Sequence, residues 1–128
     1  AEDAITSSAG WNTRENFDFL RGITELFHSK GIRVSVFVDP DPDMIRCAAE
    51  LGADRVELYT EAYARKYAAG AAEAIAPYLD AAKAARDAGL GLNAGHDLNL
   101  ENLQYFHSNI PWLDEVSIGH FRRSLLRP

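Results

Sequence analysis

The sequence predicts an α/β domain with a parallel sheet. Short runs rich in β-branched residues alternate with segments of helical periodicity, in the order α-β-α-β-α-β-α-β. Glycine stands where each of the first three helices should stop, at Gly31, Gly52 and Gly89. The strand segments are near-continuously apolar, as in a parallel sheet covered on both faces. Strands that alternate with helices imply right-handed crossovers.

Each element has its own warrant. Asn12 or Thr13 can cap a first helix whose apolar residues Phe17, Leu20, Ile23 and Phe27 recur at helical spacing, closed by Lys30-Gly31. Ile32 to Val38 reads as the first strand, broken by Asp39-Pro-Asp-Pro42. Asp41 followed by Pro42 is an N-cap with proline in the first turn, and opens a helix through Met44, Ile45, Ala48, Ala49 and Leu51. Arg55 to Thr60 is the second strand, and Glu61 to Gly70 a loop with helical character. The alanine-rich segment from Ala71 to Ala88 is a strong helix former, and Pro77 either marks its start or kinks it. Leu90 to Asn93 is the third strand. Asn99 to His107 makes a short helix with Leu100, Leu103 and Phe106 on one face, and Glu115 to Gly119 is the fourth strand.

The 128 residues fit one domain, 1–128, without an internal linker. A composition of 47% hydrophobic and 25% charged residues is that of a globular protein. The net charge of −6 argues against a nucleic-acid-binding surface, which is usually basic, but leaves room for a local phosphate site. The single cysteine, Cys47, excludes an internal disulfide and reads as a small buried hydrophobe. No apolar run approaches the ~20 residues of a membrane span. The opening AEDAITSSAGW lacks the basic start and apolar core of a signal peptide, so a cytoplasmic location is expected.

In parallel α/β folds ligands bind at the carboxyl ends of the strands. Those ends carry Asp39; Tyr59-Thr60; Asn93-Ala-Gly-His96-Asp97; and Ser117-Ile-Gly119-His120. The opposite ends, including Ala53-Asp54 and Leu113-Asp114, read as ordinary turns. Glu57 lies between Val56 and Leu58, and a buried carboxylate is costly unless paired or functional. An ion pair with a lysine or arginine is the plain alternative; its place near the strand end favours electrostatic or acid–base work. His96 follows a glycine that lets backbone approach a ligand. Asp97 either orients that ring or caps the next helix, a task open to Asn99 as well. Gly119-His120 offers backbone amides of the kind that hold phosphate. His28 and His107 read as surface residues without partners. No histidines or cysteines have metal-ligand spacing, and there is no P-loop or GxGxxG.

Four segments in this order, GIRVSVFVDPDP, GADRVELYTEAYA, LGLNAGHDLNLENL and DEVSIGH, resemble the pyridoxine 5'-phosphate synthase family of bacterial vitamin B6 synthesis, from Ala4 to His120. The resemblance implies (β/α) units of a TIM barrel. It implies condensation of 1-deoxy-D-xylulose 5-phosphate with 3-amino-2-oxopropyl phosphate, without metal or organic cofactor. The products are pyridoxine 5'-phosphate, inorganic phosphate and water. By position it makes His96 the proton donor and Glu57 the glutamate that stabilises the transition state. It makes Thr6, Asp97, Gly119 and His120 substrate contacts, the last two for phosphate.

Family chains have the usual barrel size of ~250 residues. The resemblance therefore implies a C-terminal half-barrel that starts after the fourth strand and lacks the family's earlier histidine and glutamate bases. Residues 121–128, FRRSLLRP, form an atypical basic tail where the family has an apolar helix. Such a half-barrel would expose two sheet edges and an apolar inner face. It is expected to self-associate as a homo-oligomer and to be inactive alone. A non-catalytic remnant that binds phosphate or only assembles, and a different phosphate-handling barrel enzyme, are the alternatives.

Overall fold

The computed structural model describes residues 10–116 in full, and 117–118 and 121–124 as backbone. The elements follow in the order α1 (Phe17–Ser29), β1 (Ser35–Val38), α2 (Pro42–Glu50), β2 (Arg55–Tyr59), α3 (Glu61–Tyr67), α4 (Ala71–Asp87), β3 (Gly91–Gly95), α5 (Leu100–Asn109), β4 (Glu115–Ile118) and β5 (Phe121–Ser124). Strands β1 to β4 pair side by side and in parallel, as expected.

The differences have local causes. The fifth strand runs antiparallel to β4, with Ile118 opposite Phe121. This pairing satisfies backbone that would otherwise leave β4 a bare edge. Part of the basic tail thus joins the sheet. The segment from Glu61 to Gly70, expected as a loop with helical character, holds a full helix at Glu61–Tyr67, and α4 runs through Pro77 from Ala71. Asn12 caps a turn, accepting the Glu15 N–H at 2.9 Å, and the Thr13 hydroxyl donates to the Met44 carbonyl at 2.9 Å instead of capping α1. Asp41 behaves as expected: its carboxylate accepts the Asp43 N–H at 2.9 Å, with Pro42 opening α2.

Pleating sends alternate residues to opposite faces. The helices cover one face, where Val36, Val38, Val56, Leu58, Leu92, Ala94 and Val116 enter the core. Helix residues Leu20, Ile45, Ala48, Ile75, Ala81 and Phe106 meet them there. Cys47 is buried, as expected. The other face does not match the apolar inner face expected. Its rows run Ser35, Arg55, Gly91, then Phe37, Glu57, Asn93, Glu115, in direct register. In these two rows only Phe37 is a large hydrophobe, and Tyr59 stands in the next row on the same face.

Two aspartates at the opposite, amino-terminal ends of the strands do more than turn the chain. Asp54 donates its N–H to the Val34 carbonyl (3.0 Å) and its carboxylate accepts the Val34 N–H (2.8 Å). Asp114 does the same to Leu92, at 2.7 and 2.8 Å. Each clamp fixes the register of a strand at its start. His28, expected to stand alone, lies 2.7 Å from the same Asp54 oxygen, which only the tertiary fold brings near.

Burial opposes the charge on Asp54, but the Val34 N–H and His28 outweigh it and hold the carboxyl below its ordinary value of 3.8. A depressed carboxylate contributes stability that is in place above its unfolded pKa and is lost as pH falls through the folded one. Urea midpoints should therefore drop on acidification below about pH 4. The Asp54→Asn variant should be less stable at neutral pH and show a shallower acid limb. Parallel limbs for the two proteins would reject the clamp as the cause.

Candidate active site

The carboxyl ends of β2 and β3 build the site. Strand β3 continues to Gly95, one turn of the pleat beyond the expected end, because Gly95 stays in register with Tyr59 and its carbonyl accepts the Thr60 N–H at 3.0 Å. The left-handed turn therefore falls on His96 (φ 103°) and Asp97 (φ 61°) rather than on the glycine. Non-glycine residues rarely adopt such angles, which persist where neighbours enforce them and which cluster at functional sites. Here the Thr60 hydroxyl donates to the His96 carbonyl at 2.7 Å.

The exposed His96 ring lies over the polar face. Its centroid is 4.2 Å from Tyr59 and 5.8 Å from Phe37, and Nδ1 is 3.0 Å from the Gly95 carbonyl. Phe37 is the register neighbour of Glu57. Glu57 is 2% exposed, a buried carboxylate as expected, in the row directly below the ring. Beside it, Asn93 bridges two charged neighbours. Its Oδ1 accepts from Arg55 Nη1 at 3.0 Å, and its Nδ2 donates to Glu115 at 3.4 Å. Gly91 makes room for this: a Cβ there would sit 2.7 Å from Arg55 Cγ. Arg55 also approaches Asp114, at 3.8 Å.

Asp97 is exposed and does not cap α5. Asn99 and Asn102 do so reciprocally, each side chain accepting the other's backbone N–H at 2.8 Å. That leaves the Asp97 carboxylate at the rim. Asp97, Asn99 and Asn102 face Glu61, Ala64 and Arg65 across a cleft of about 340 Å³, which neither His96 nor Glu57 lines. The Tyr59 phenol is pushed above its ordinary pKa by burial and by the charges of Glu61, Asp97 and Asp39, so it stays protonated and can donate.

The structure thus sets His96 and Asp97 side by side at the carboxyl-terminal rim, with Glu57 in mid-strand on β2, and turns Asp97 toward a cleft that neither His96 nor Glu57 lines. Thr6, Gly119 and His120 lie outside the described residues. Sequence reasoning placed Tyr59-Thr60 at this rim without giving either a role, and missed Arg55 as part of the site. The period-two spacing of Arg55, Glu57 and Tyr59 was the signal that they share a face. Among the described residues no group of three or more histidines, cysteines and acids is placed to hold a metal. No helix among them is long and apolar enough to cross a membrane.

A parallel β/α sheet with a strained histidine at its carboxyl-terminal rim and a buried glutamate within a strand belongs to an α/β protein built from units of the TIM-barrel kind. The family model described as pyridoxal phosphate biosynthesis protein PdxJ matches residues 1–124, and the chain belongs to that family. Pyridoxine 5'-phosphate synthase from Bacteroides fragilis (strain YCH46) is 64% identical over 116 residues, 91% of this chain and 49% of the relative. The synthases of Parabacteroides distasonis and Porphyromonas gingivalis are 58% and 54% identical over 120 residues, each match covering 94% of this chain and 50% of theirs. The chain spans about half the length of these relatives.

Proposed function

We propose that this chain supplies part of a pyridoxine 5'-phosphate synthase site. The reaction joins 1-deoxy-D-xylulose 5-phosphate to 3-amino-2-oxopropyl phosphate and gives pyridoxine 5'-phosphate, inorganic phosphate and water. The observation that carries this reading is the meeting of a backbone-strained His96 with the polar face that holds Glu57. An imidazole fixed at a strand end is a competent proton donor to a substrate above the sheet. Glu57, held in a low-dielectric row, stabilises positive charge as it develops over the face. Asp97 on the rim attracts the substrate's amine. Thr6, Gly119 and His120 complete the substrate contacts, the last two at phosphate.

Ring closure needs further proton acceptors, and a chain of half the relatives' length is expected not to turn over alone. The purified chain with both substrates should give no pyridoxine 5'-phosphate by chromatography. Adding the polypeptide that corresponds to the unmatched half of the Bacteroides fragilis relative should restore product. Product from the 128-residue chain alone would overturn the incompleteness. Failure of a folded, stoichiometric assembly to make any product would favour a non-catalytic remnant that binds phosphate or only assembles.

A further inference from the structure

Thr60 opens α3 but does not cap it. Its carbonyl accepts the Ala64 N–H at 2.9 Å, yet its side chain makes no bond to an N–H of the helix. A helix of seven residues gains most from a cap, and threonine at that position ordinarily supplies one. Here Thr60 is fully buried, and its hydroxyl is turned away to the His96 carbonyl, 36 residues along the chain.

Three successive carbonyls of the strand-end turn are held. Thr60 takes the first two, Gly95 through its N–H at 3.0 Å and His96 through its hydroxyl at 2.7 Å. The Asn102 amide donates to the third, that of Asp97, at 3.4 Å. Thr60 is anchored in turn: the hydroxyl of buried Tyr78 donates at 2.8 Å to the Tyr59 carbonyl, which belongs to the peptide leading into Thr60. A peptide is planar, so gripping the His96 carbonyl fixes the plane between His96 and Asp97, and with it ψ of the first and φ of the second. Both residues stand at positive φ, which residues with a Cβ rarely adopt unless held.

We propose that Thr60 is a positioning residue for the proton-transfer step. Its hydroxyl sets the one peptide from which the His96 imidazole and the Asp97 carboxylate both depart, and so fixes where each points. Being buried, Thr60 acts through this backbone and not on substrate. The inference rests on the catalytic reading of His96 and Asp97, and adds the group that aims them.

Thr60→Val keeps the shape and the backbone bond to Gly95, removes the hydroxyl and forfeits no cap, whereas Thr60→Ser keeps the hydroxyl. In the chain with isotope-labelled histidine, the ring current of Tyr59, centred 4.2 Å away, displaces the His96 ring resonances. They should move toward free-histidine positions in Thr60→Val and stay in place in Thr60→Ser. In the assembly with the complementary half, Thr60→Val should lower kcat by up to about 10²-fold, the cost of a small misplacement. It should raise KM for 3-amino-2-oxopropyl phosphate more than KM for 1-deoxy-D-xylulose 5-phosphate, and Thr60→Ser should recover most of the turnover. Should Thr60→Val not fold, Thr60→Ala against Thr60→Ser makes the same comparison. Unmoved resonances without the hydroxyl, or unchanged kinetics beside moved ones, would overturn the proposal. So would equal losses with and without the hydroxyl, the mark of a purely structural residue. Full turnover by His96→Ala would remove the catalytic reading and this role with it, while the resonances would still show whether Thr60 holds the turn.

Discussion

Tyr63→Ala should cost about 3–5 kcal/mol of stability, a large share of the roughly 5–15 kcal/mol that holds a domain of this size. Tyr63 is fully buried and sits at the centre of an aromatic cluster. Its ring centroid is 5.0 Å from Phe106, 5.7 Å from Tyr67 and 5.9 Å from Tyr78, all in edge-to-face geometry. Such pairs add to the value of the buried area itself. Its hydroxyl donates to the Asn102 carbonyl, tying α3 to α5. Burial drives its phenol far above the ordinary pKa, which keeps that donor protonated. Helix α3 has seven residues, too few to persist without tertiary packing, and Tyr63 is its one buried side chain. Removing the ring therefore releases the segment after Thr60 and the segment after Asp97 together. Tyr63→Phe keeps the ring and loses only the hydrogen bond, for about 1 kcal/mol. Urea denaturation of the two variants should separate these contributions, and hydrogen exchange in Tyr63→Ala should accelerate first in α3 and the start of α5. An alanine variant no weaker than the phenylalanine one would refute the account.

What the sequence disclosed, and what it hid, follows the range of the interactions. Asp41 and Pro42 were legible because a cap acts on the next two residues. Asn99 was legible for the same reason, although its reciprocal partner Asn102 was not singled out. The pairing of His28 with Asp54 spans 26 residues and exists only once α1 lies beside the start of β2. No local pattern announces it. Strand β2 shows a subtler failure. Read as an apolar run, RVELY suggests burial on both faces. Read by alternation, it separates Val56 and Leu58 from Arg55, Glu57 and Tyr59, and the polar face follows. The alternation was present but weak over five residues. Glu57 and His96 stood out as chemically unusual; the residues that position them, Thr60 and Tyr59, did not, because they are ordinary residue types made important by register. The fifth strand was hidden because FRRS has no apolar alternation to mark it.

His96→Gly should strengthen the fold while removing the chemistry. At φ 103° a residue with a Cβ is strained, and a backbone held in such a region costs on the order of 1–3 kcal/mol that glycine does not incur. The strain is sustained from both sides: Gly95 is locked in the sheet, and Thr60 grips the His96 carbonyl. Glycine should relieve part of it, for a gain of about 1 kcal/mol, less the contacts of the ring with Tyr59 and Phe37 and the greater freedom of the unfolded chain. His96→Ala loses the same ring contacts and keeps the Cβ, so it should be less stable than His96→Gly by about 1 kcal/mol. In the assembly with the complementary half, both variants should lose about 10²- to 10⁴-fold in turnover, the usual worth of a positioned proton donor. Equal stabilities for glycine and alanine would show that the backbone is not strained at this position. Full turnover by either would remove His96 from the reaction. The pairing of the two readouts matters, because a histidine kept for packing alone would give way to glycine at no catalytic cost. A histidine held in strain over a polar sheet face implies that the position of its imidazole is what the fold maintains.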